Sequence, residues 1–453
     1  MKAAAKRVRT EADTRPDERQ TALVILPQLL SAAPPPRDPA LRLDEAKGLA
    51  EALDLDVADA AIARLRGLNP ATFLGEGRVA ALKEQAAEAG AAVVVVDAAL
   101  SPVQQRNLEN ALAAKVVDRT GLILEIFARR ARTREGRLQV ELARLAYERS
   151  RLVRTWTHLE RQRGGLGKTG GPGETQIELD RRQIADRITR LKRELDDVRR
   201  TRGLQRRARA RAGYPAVVLV GYTNAGKSSL FNRIASADVL AKDMPFATLD
   251  PTARLIKLAS GRAVIVADTV GFITDLPTEL IAAFRATLEA VMEADLLVHV
   301  RDIAHPETEA QRADVLAVLA QVAKENEGRA LPPIMEAWNK IDRLDAERRE
   351  GRLNRAAKQG GEPPLPVSAL TGEGIDALLQ RIDQAAFGAS RLVDLVLDPA
   401  DGRTRAWIAS RGKILDERVL GDGRIALTAE LAGDDAARLD PALLATPERL
   451  AAE

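Results

Sequence analysis

Residues 221–228 read GYTNAGKS. They match the pattern G-x-x-x-x-G-K-[ST] of a phosphate-binding loop. Context decides whether such a match has meaning. An apolar run, AVVLV (216–220), reads as a buried strand just before the loop, and SSLFNRIAS (228–236) reads as a helix opening just after it. Strand, glycine-bounded loop and helix N-terminus form the geometry in which backbone N–H groups converge on phosphate oxygens. Gly221 and Gly226 let the amides turn inward, with Tyr222, Thr223, Asn224 and Ala225 forming the loop between them. Lys227 is placed for the β- and γ-phosphates and Ser228 for Mg²⁺.

Further apolar runs follow: AVIVAD (263–268), LLVHV (296–300), IMEAW (334–338) and PLPVSA (364–369). Helical stretches separate them, so the expectation is an α/β unit with a mainly parallel sheet, a P-loop GTPase domain. Three strand ends carry motifs. In DTVG (268–271), Asp268 is placed to hold Mg²⁺ through water, Thr269 and Val270 make the turn, and the Gly271 amide can meet a γ-phosphate. In NKID (339–342), Asp342 can accept from guanine N1–H and the exocyclic amine, a donor pair that adenine lacks. Asn339 orients the base edge, the Lys340 stem covers the ring, and Ile341 lies between. Ser368, Ala369 and Leu370 end another strand and would offer backbone amides to guanine O6. Four motifs in this order point to GTP and GDP as ligands.

FATLDPT (246–252) lies between the first two motifs. Phe246, Ala247, Thr248, Leu249 and Asp250 form a candidate nucleotide-facing segment, and a threonine in it can close on Mg²⁺ and the γ-phosphate. Spacing does not choose between Thr248 and Thr252. Phe272 stands where many GTPases carry a water-orienting Gln, and a phenyl ring cannot orient water. Unaided hydrolysis is expected to be slow. Arg254 is only a distant candidate for an arginine finger. His158, His299 and His305 are not at metal-ligand spacing and read as satisfied or exposed structural residues.

The chain has 453 residues, 45% hydrophobic and 30% charged, which suits a soluble protein of several domains. It has no cysteine, so disulfides and Cys-ligated metal sites are excluded. The basic start lacks an apolar signal-peptide core, and no window approaches 18 apolar residues, so a cytoplasmic protein without a membrane span is expected. A monomer is the working expectation. The net charge of +4 conceals an asymmetry: residues 126–213 hold 25 basic and 11 acidic residues, a net of +14, which leaves −10 for the rest. A basic segment of that size suits a polyanion, or else a solvated helical face.

Five divisions are expected: a disordered tail (1–20), an N-terminal α/β domain (21–118), a basic helical hairpin with a glycine-rich tip (119–213), the G domain (214–388) and a small α+β appendix (389–453). In the second, ALVILPQLL reads as a strand closed by Pro27, AAVVVVDAAL as a buried strand, and Ser101-Pro102 as a helix start. In the third, Leu138, Leu142, Leu145, Leu152, Trp156 and Leu159 form a narrow apolar seam. Ile177, Ile184, Ile188, Leu191, Leu195 and Val198 form a second, and RGLQRRARARAG (202–213) reads as a basic linker.

With these residues assembled, the chain resembles the HflX family of ribosome-associated GTPases from about residue 21 to at least 388. Beyond the nucleotide motifs, the resemblance rests on NPATFLGEGRV (69–79), LSPVQQRNLE (100–109), VDRTGLILEIFARRARTREGRLQVELA (117–143) and GGLGKTGGPGETQIELDRR (164–182). It selects Thr248 as the Mg²⁺-contacting threonine, so that Ser228 and Thr248 make the metal set and Lys227, Thr248 and Gly271 the catalytic set. It also implies binding of the large ribosomal subunit, and a role in splitting or rescue of stalled ribosomes. An assembly GTPase, or an RNA-binding module with a regulatory G domain, is the alternative.

The string RQRGGLGKTGGPGE (161–174) contains GKT, yet it is no second phosphate loop: position 162 is Gln162, and a helix rather than a strand precedes it. A flexible hinge is one reading. The other is a fingertip for ribosomal RNA, with Arg161, Arg163 and Lys168 for phosphates and Gly164 and Gly165 for close backbone approach.

Overall fold

The computed structural model describes residues 19–30, 37–162, 172–211, 214–236, 245, 246, 248, 252–274, 290–326, 330–358, 362–388 and 390–444. The expected tail (1–18 of it), Ala247, Leu249, Asp250, Arg163, Gly164, Gly165 and Lys168 lie outside these residues, as does the side chain of Arg161. The chain divides into two compact units, one of residues 1–129 with 144–188, the other of 130–143 with 189–453.

The first unit holds a four-stranded parallel sheet of β1 (Thr21–Leu29), β2 (Asp56–Leu65), β3 (Val93–Val96) and β4 (Lys115–Asp118), in the order β2-β1-β3-β4. Helices α1 (Pro39–Glu51), α2 (Glu76–Glu88) and α3 (Pro102–Leu112) make the crossovers, and α4 (Arg119–Arg130) follows β4. Leu23, Ile25, Val94, Val96, Leu82 and Leu108 are buried together. Ser101 caps α3 with Gln104 reciprocating, a capping box. Pro27 does not close β1, which continues to Leu29. β3 pairs with β1 only as far as Ile25, so a residue without an N–H falls where β1 has β2 alone beside it. β2 escapes a reading by pattern because DVADAAIARL is an alanine-rich edge strand with little alternation of large apolar residues.

The two long helices are α5 (Arg134–Gln162) and α6 (Pro172–Arg211). Ile188, Leu191 and Leu195 of the α6 seam are buried. The stretch expected to be a linker is helical as far as Arg211: apart from Gly203, it is rich in Arg, Ala, Gln and Leu, all good helix formers. Asp118, at the end of β4, accepts from Tyr147 Oη (2.6 Å) and Arg151 (2.7 Å), both on α5, and from the Gly121 N–H (2.8 Å). The Arg151 guanidinium stacks on the Tyr147 ring at 4.1 Å. This buried carboxylate fastens that part of α5 to the sheet.

The second unit contains a six-stranded sheet, β10-β9-β8-β5-β7-β6, formed by β5 (Ala216–Val220), β6 (Thr252–Lys257), β7 (Ala263–Asp268), β8 (Leu296–Asp302), β9 (Ile334–Asn339) and β10 (Leu365–Pro366). All pairings are parallel except β6 with β7. Helices α7 (Lys227–Ala235), α8 (Thr308–Glu325), α9 (Ala346–Lys358) and α10 (Ile375–Phe387) accompany it. A three-stranded antiparallel sheet follows, with β11 (Ser390–Leu397), β12 (Gly412–Val419) and β13 (Ile425–Ala432) in the order β11-β13-β12, and α11 (Gly402–Arg411) against it. The fold is α/β throughout, with an antiparallel α+β appendix.

His299 sits in the middle of β8, between Val220 of β5 and Glu336 of β9. It is neither exposed nor fully satisfied: the ring is buried and its Nδ1 has no hydrogen-bond partner among the described residues. Burial lowers its pKa to about 4, against the pull of Glu336 and with help from the nearby Arg301, Arg312 and Lys227 charges. Below its ordinary pKa of about 6.5 the unfolded chain takes up a proton that the folded chain refuses until near pH 4. Stability contributed here is therefore lost as pH falls through that window, by about 3 kcal/mol in total. Urea unfolding midpoints of wild type and His299→Gln, compared from pH 7 to pH 4, should diverge in slope, with the variant showing the shallower loss.

Candidate functional site: a nucleotide cavity at the sheet's carboxyl edge

The loop between β5 and α7 reverses tightly. Gly226 has φ +88°, and a Cβ on it would lie 2.2 Å from Asn339 Nδ2. That close approach brings the Asn339 amide to the loop, where Nδ2 donates to the Ala225 carbonyl (2.9 Å). Gly271 is equally confined, since a Cβ there would lie 2.7 Å from Thr223 Cα and 2.9 Å from Lys227 Nζ. The residues after it are bound to the same loop: Phe272 N–H donates to the Gly221 carbonyl (3.0 Å) and Thr223 N–H to the Phe272 carbonyl (2.7 Å). Tyr222 Oη lies 2.6 Å from Thr274 Oγ1, which donates to Asp314 of α8 (2.9 Å).

A cavity of about 300 Å³ opens at the carboxyl ends of β5, β7, β9 and β10. Residues from all four motifs and from the 246–252 segment line it. They are Thr223, Asn224, Gly226, Lys227 and Ser228; Phe246 and Thr248; Thr269 and Gly271; Asn339, Lys340 and Asp342; and Ala369 and Leu370. Gly221, Tyr222, Ala225, Asp268, Val270, Ile341 and Ser368 do not line it; all are buried around or behind the lining. Neither Phe272, whose ring is buried, nor Arg254, exposed on β6, lines the cavity.

At one end Lys227 is buried and its ammonium donates to the carbonyls of Tyr222 (2.8 Å) and Gly221 (3.2 Å). Burial lowers its pKa to about 8, opposed by the charge of Asp268. Beside it, Ser228 Oγ lies 2.6 Å from Thr248 Oγ1 and donates to Asp268 Oδ2 (2.7 Å). Asp268 is fully buried, and its Oδ1 has no hydrogen-bond partner among the described residues. Burial raises its pKa, opposed first by the Ser228 hydrogen bond and then by Lys227. Two hydroxyls and a carboxylate with an unpartnered oxygen make a hard, oxygen-only donor set, which fits Mg²⁺.

At the other end Asp342 accepts from Ser368 Oγ (2.6 Å), which fixes its carboxylate. Lys340 has φ +65°, and its ammonium pairs with Asp302 (2.8 Å). The 368–370 loop does not offer its three amides alike. Ser368 N–H donates to the Glu373 carbonyl (2.9 Å) and Ala369 N–H to Asn339 Oδ1 (3.0 Å). The turn that buries Ser368 uses those donors internally, leaving Leu370 N–H without a bonded acceptor among the described residues.

The comparisons with known proteins cover almost the whole chain. Residues 40–128 match the GTP-binding GTPase N-terminal family, 130–209 the GTP-binding GTPase middle region, 216–340 the family described as 50S ribosome-binding GTPase, and 353–452 the HflX C-terminal domain. The chain is 48% identical over 390 residues to GTPase HflX of Magnetococcus marinus, covering 86% of this chain and 88% of that protein. It is 42% identical over 405 residues to GTPase HflX of Escherichia coli, covering 89% and 93%. The chain belongs to the HflX family of GTPases. Among solved structures it is similar to a GTP-binding protein from Sulfolobus solfataricus in complex with GDP, at 24% identity and a TM-score of 0.45, over 81% of this chain and 98% of that one.

As an HflX-family member the protein hydrolyses GTP and binds GTP and GDP. Among its described residues no helix is long and apolar enough to cross a membrane. Ser229 and Arg343, which also line the cavity, and Asp302, which holds Lys340, fall outside the residues that the sequence motifs single out. Ser229 and Arg343 adjoin motif residues, so proximity could have flagged them; Asp302 carried only the weak signal of an acid at a strand end. Gly226→Ala forces a methyl group into the Asn339 amide at a backbone conformation that alanine resists. GDP affinity should fall at least about tenfold, read by fluorescent-nucleotide titration.

Proposed function

We propose that this GTPase acts on the large ribosomal subunit, in the splitting or rescue of stalled ribosomes, as a GTP-timed cytoplasmic monomer. The observation that carries the nucleotide half is the single cavity shared by all four motifs. Lys227 exchanges its two carbonyl partners for the β- and γ-phosphates; the polyanion supplies the countercharge that burial withholds from its ammonium. Ser228 and Thr248 would hold Mg²⁺ directly and Asp268 through water. When bound, the ion neutralises charge on the phosphate oxygens. Gly271 N–H meets the γ-phosphate, so hydrolysis removes the tie between that loop and the nucleotide. Asp342 reads the N1–H and 2-amine edge, Lys340 covers the ring, and the 368–370 loop faces O6.

The ribosomal half rests on the +14 charge of residues 126–213 and on the glycine-rich string between α5 and α6. The name of the family matched by 216–340 points the same way. In this reading the five divisions expected from sequence are functional parts, and Arg161, Arg163, Gly164, Gly165 and Lys168 touch ribosomal RNA through its phosphates rather than its sequence.

Asp342→Asn should weaken GTP binding by about tenfold to a hundredfold and favour xanthosine triphosphate, whose 2-oxygen accepts from an amide. Competition between the two nucleotides checks this, and unchanged base preference would remove Asp342 from the role. GTP turnover should rise at least about tenfold with purified large subunits, less so at high salt. Replacing 164–173 with a serine linker should spare basal turnover and abolish that rise. A rise that persists would show that this string is not the contact.

A further inference from the structure

Arg233 lies on α7, six residues beyond Lys227, and belongs to no nucleotide motif. Its Nε donates to the Ala369 carbonyl (3.1 Å), and its NH2 group donates to the Leu370 carbonyl. Other hydrogen bonds hold the two ends of the loop, and Arg233 is the side chain bonded to the carbonyls of its crest. Leu370 is 76% exposed, so apolar packing does not hold it. The Ser368 and Ala369 amides are already committed, as is Thr371 N–H, which donates to Ser368 Oγ (3.0 Å).

The Ala369 carbonyl and the Leu370 N–H belong to one planar, trans peptide unit, so they point in opposite directions. Holding the carbonyl toward Arg233 therefore turns the Leu370 N–H away from it. Ala369 and Leu370 line the cavity on that loop. A hydrogen bond accepted by the carbonyl also polarises the peptide and makes its N–H a better donor. We infer that Arg233 is a positioning residue for guanine recognition, fixing the 369–370 peptide so that Leu370 N–H faces O6 of the base. The inference rests on the proposal that the 368–370 loop reads O6. It extends that reading by tying the phosphate-side helix to one edge of the base.

The two edges can be probed separately. In 6-thio-GDP the oxygen is replaced by sulfur, a poorer acceptor, while N1–H and the 2-amine remain. In IDP the 2-amine is lost and O6 remains. Displacement of a fluorescent GDP analogue from the full chain would give affinities for GDP, 6-thio-GDP and IDP in wild type, Arg233→Ala and Arg233→Lys. Wild type should prefer GDP to 6-thio-GDP by about tenfold. Arg233→Ala should bind GDP about fivefold more weakly and lose most of that preference, while its GDP to IDP ratio stays at the wild-type value. Arg233→Lys, with a single donor group, should fall between.

A folded Arg233→Ala or Arg233→Lys with the wild-type 6-thio-GDP ratio overturns the inference and leaves the loop's role intact. Equal loss in both ratios also overturns it, because a merely structural role would blur both edges alike. If wild type itself does not distinguish 6-thio-GDP from GDP, the loop does not read O6 and the underlying proposal fails first.

Discussion

One buried amide connects the parts of this nucleotide site. Asn339 donates through Nδ2 to the Ala225 carbonyl of the phosphate loop and accepts through Oδ1 from the Ala369 N–H of the base loop. It is 1% exposed, so neither bond competes with water. The phosphate loop, the NKID strand end and the base loop come from parts of the chain far apart in sequence. A single planar group fixes their separation. Gly226 is glycine because that amide must come so close.

A second constraint is electrostatic. Lys227 and Asp268 are buried charges, and among the described residues each has an incomplete set of partners: two carbonyls for the ammonium, and hydroxyl donation to Oδ2 of the carboxylate while Oδ1 is unpartnered. Burying charge on such terms is costly. Burial opposes ionisation of both, lowering the pKa of the lysine and raising that of the aspartate. In the proposed function, a triphosphate with its divalent cation would supply what each lacks.

Much of this was legible in the sequence because motif spacing and strand ends coincide. GYTNAGKS after AVVLV, DTVG after AVIVA and NKID after IMEAW each put motif residues at the carboxyl edge of a parallel sheet, where such cavities form. The parts that escaped have physical reasons. β2 and β6 are edge strands whose composition answers to one neighbour instead of a two-sided core, so pattern reading passes over them. Asp302 and Arg233 act through a lysine head group and through two main-chain carbonyls. Main-chain carbonyls leave no mark on sequence. The same holds for the unequal amides of residues 368–370, whose commitments follow from the turn and not from residue identity.

Phe272 has a structural part that its side-chain chemistry does not announce. A phenyl ring cannot orient water, and the buried ring is not part of the cavity lining. Its main chain, however, bonds both Gly221 and Thr223, tying the DTVG segment to the phosphate loop. Tyr222 extends the same tie through Thr274 to Asp314 on α8. The backbone beyond Gly271 is thus fastened to the GYTNAGKS loop, and through it to α8. Any rearrangement that brings a water-orienting group to the γ-phosphate has to break those bonds or come from outside them. The proposed function therefore expects slow basal turnover, with acceleration left to the partner it proposes.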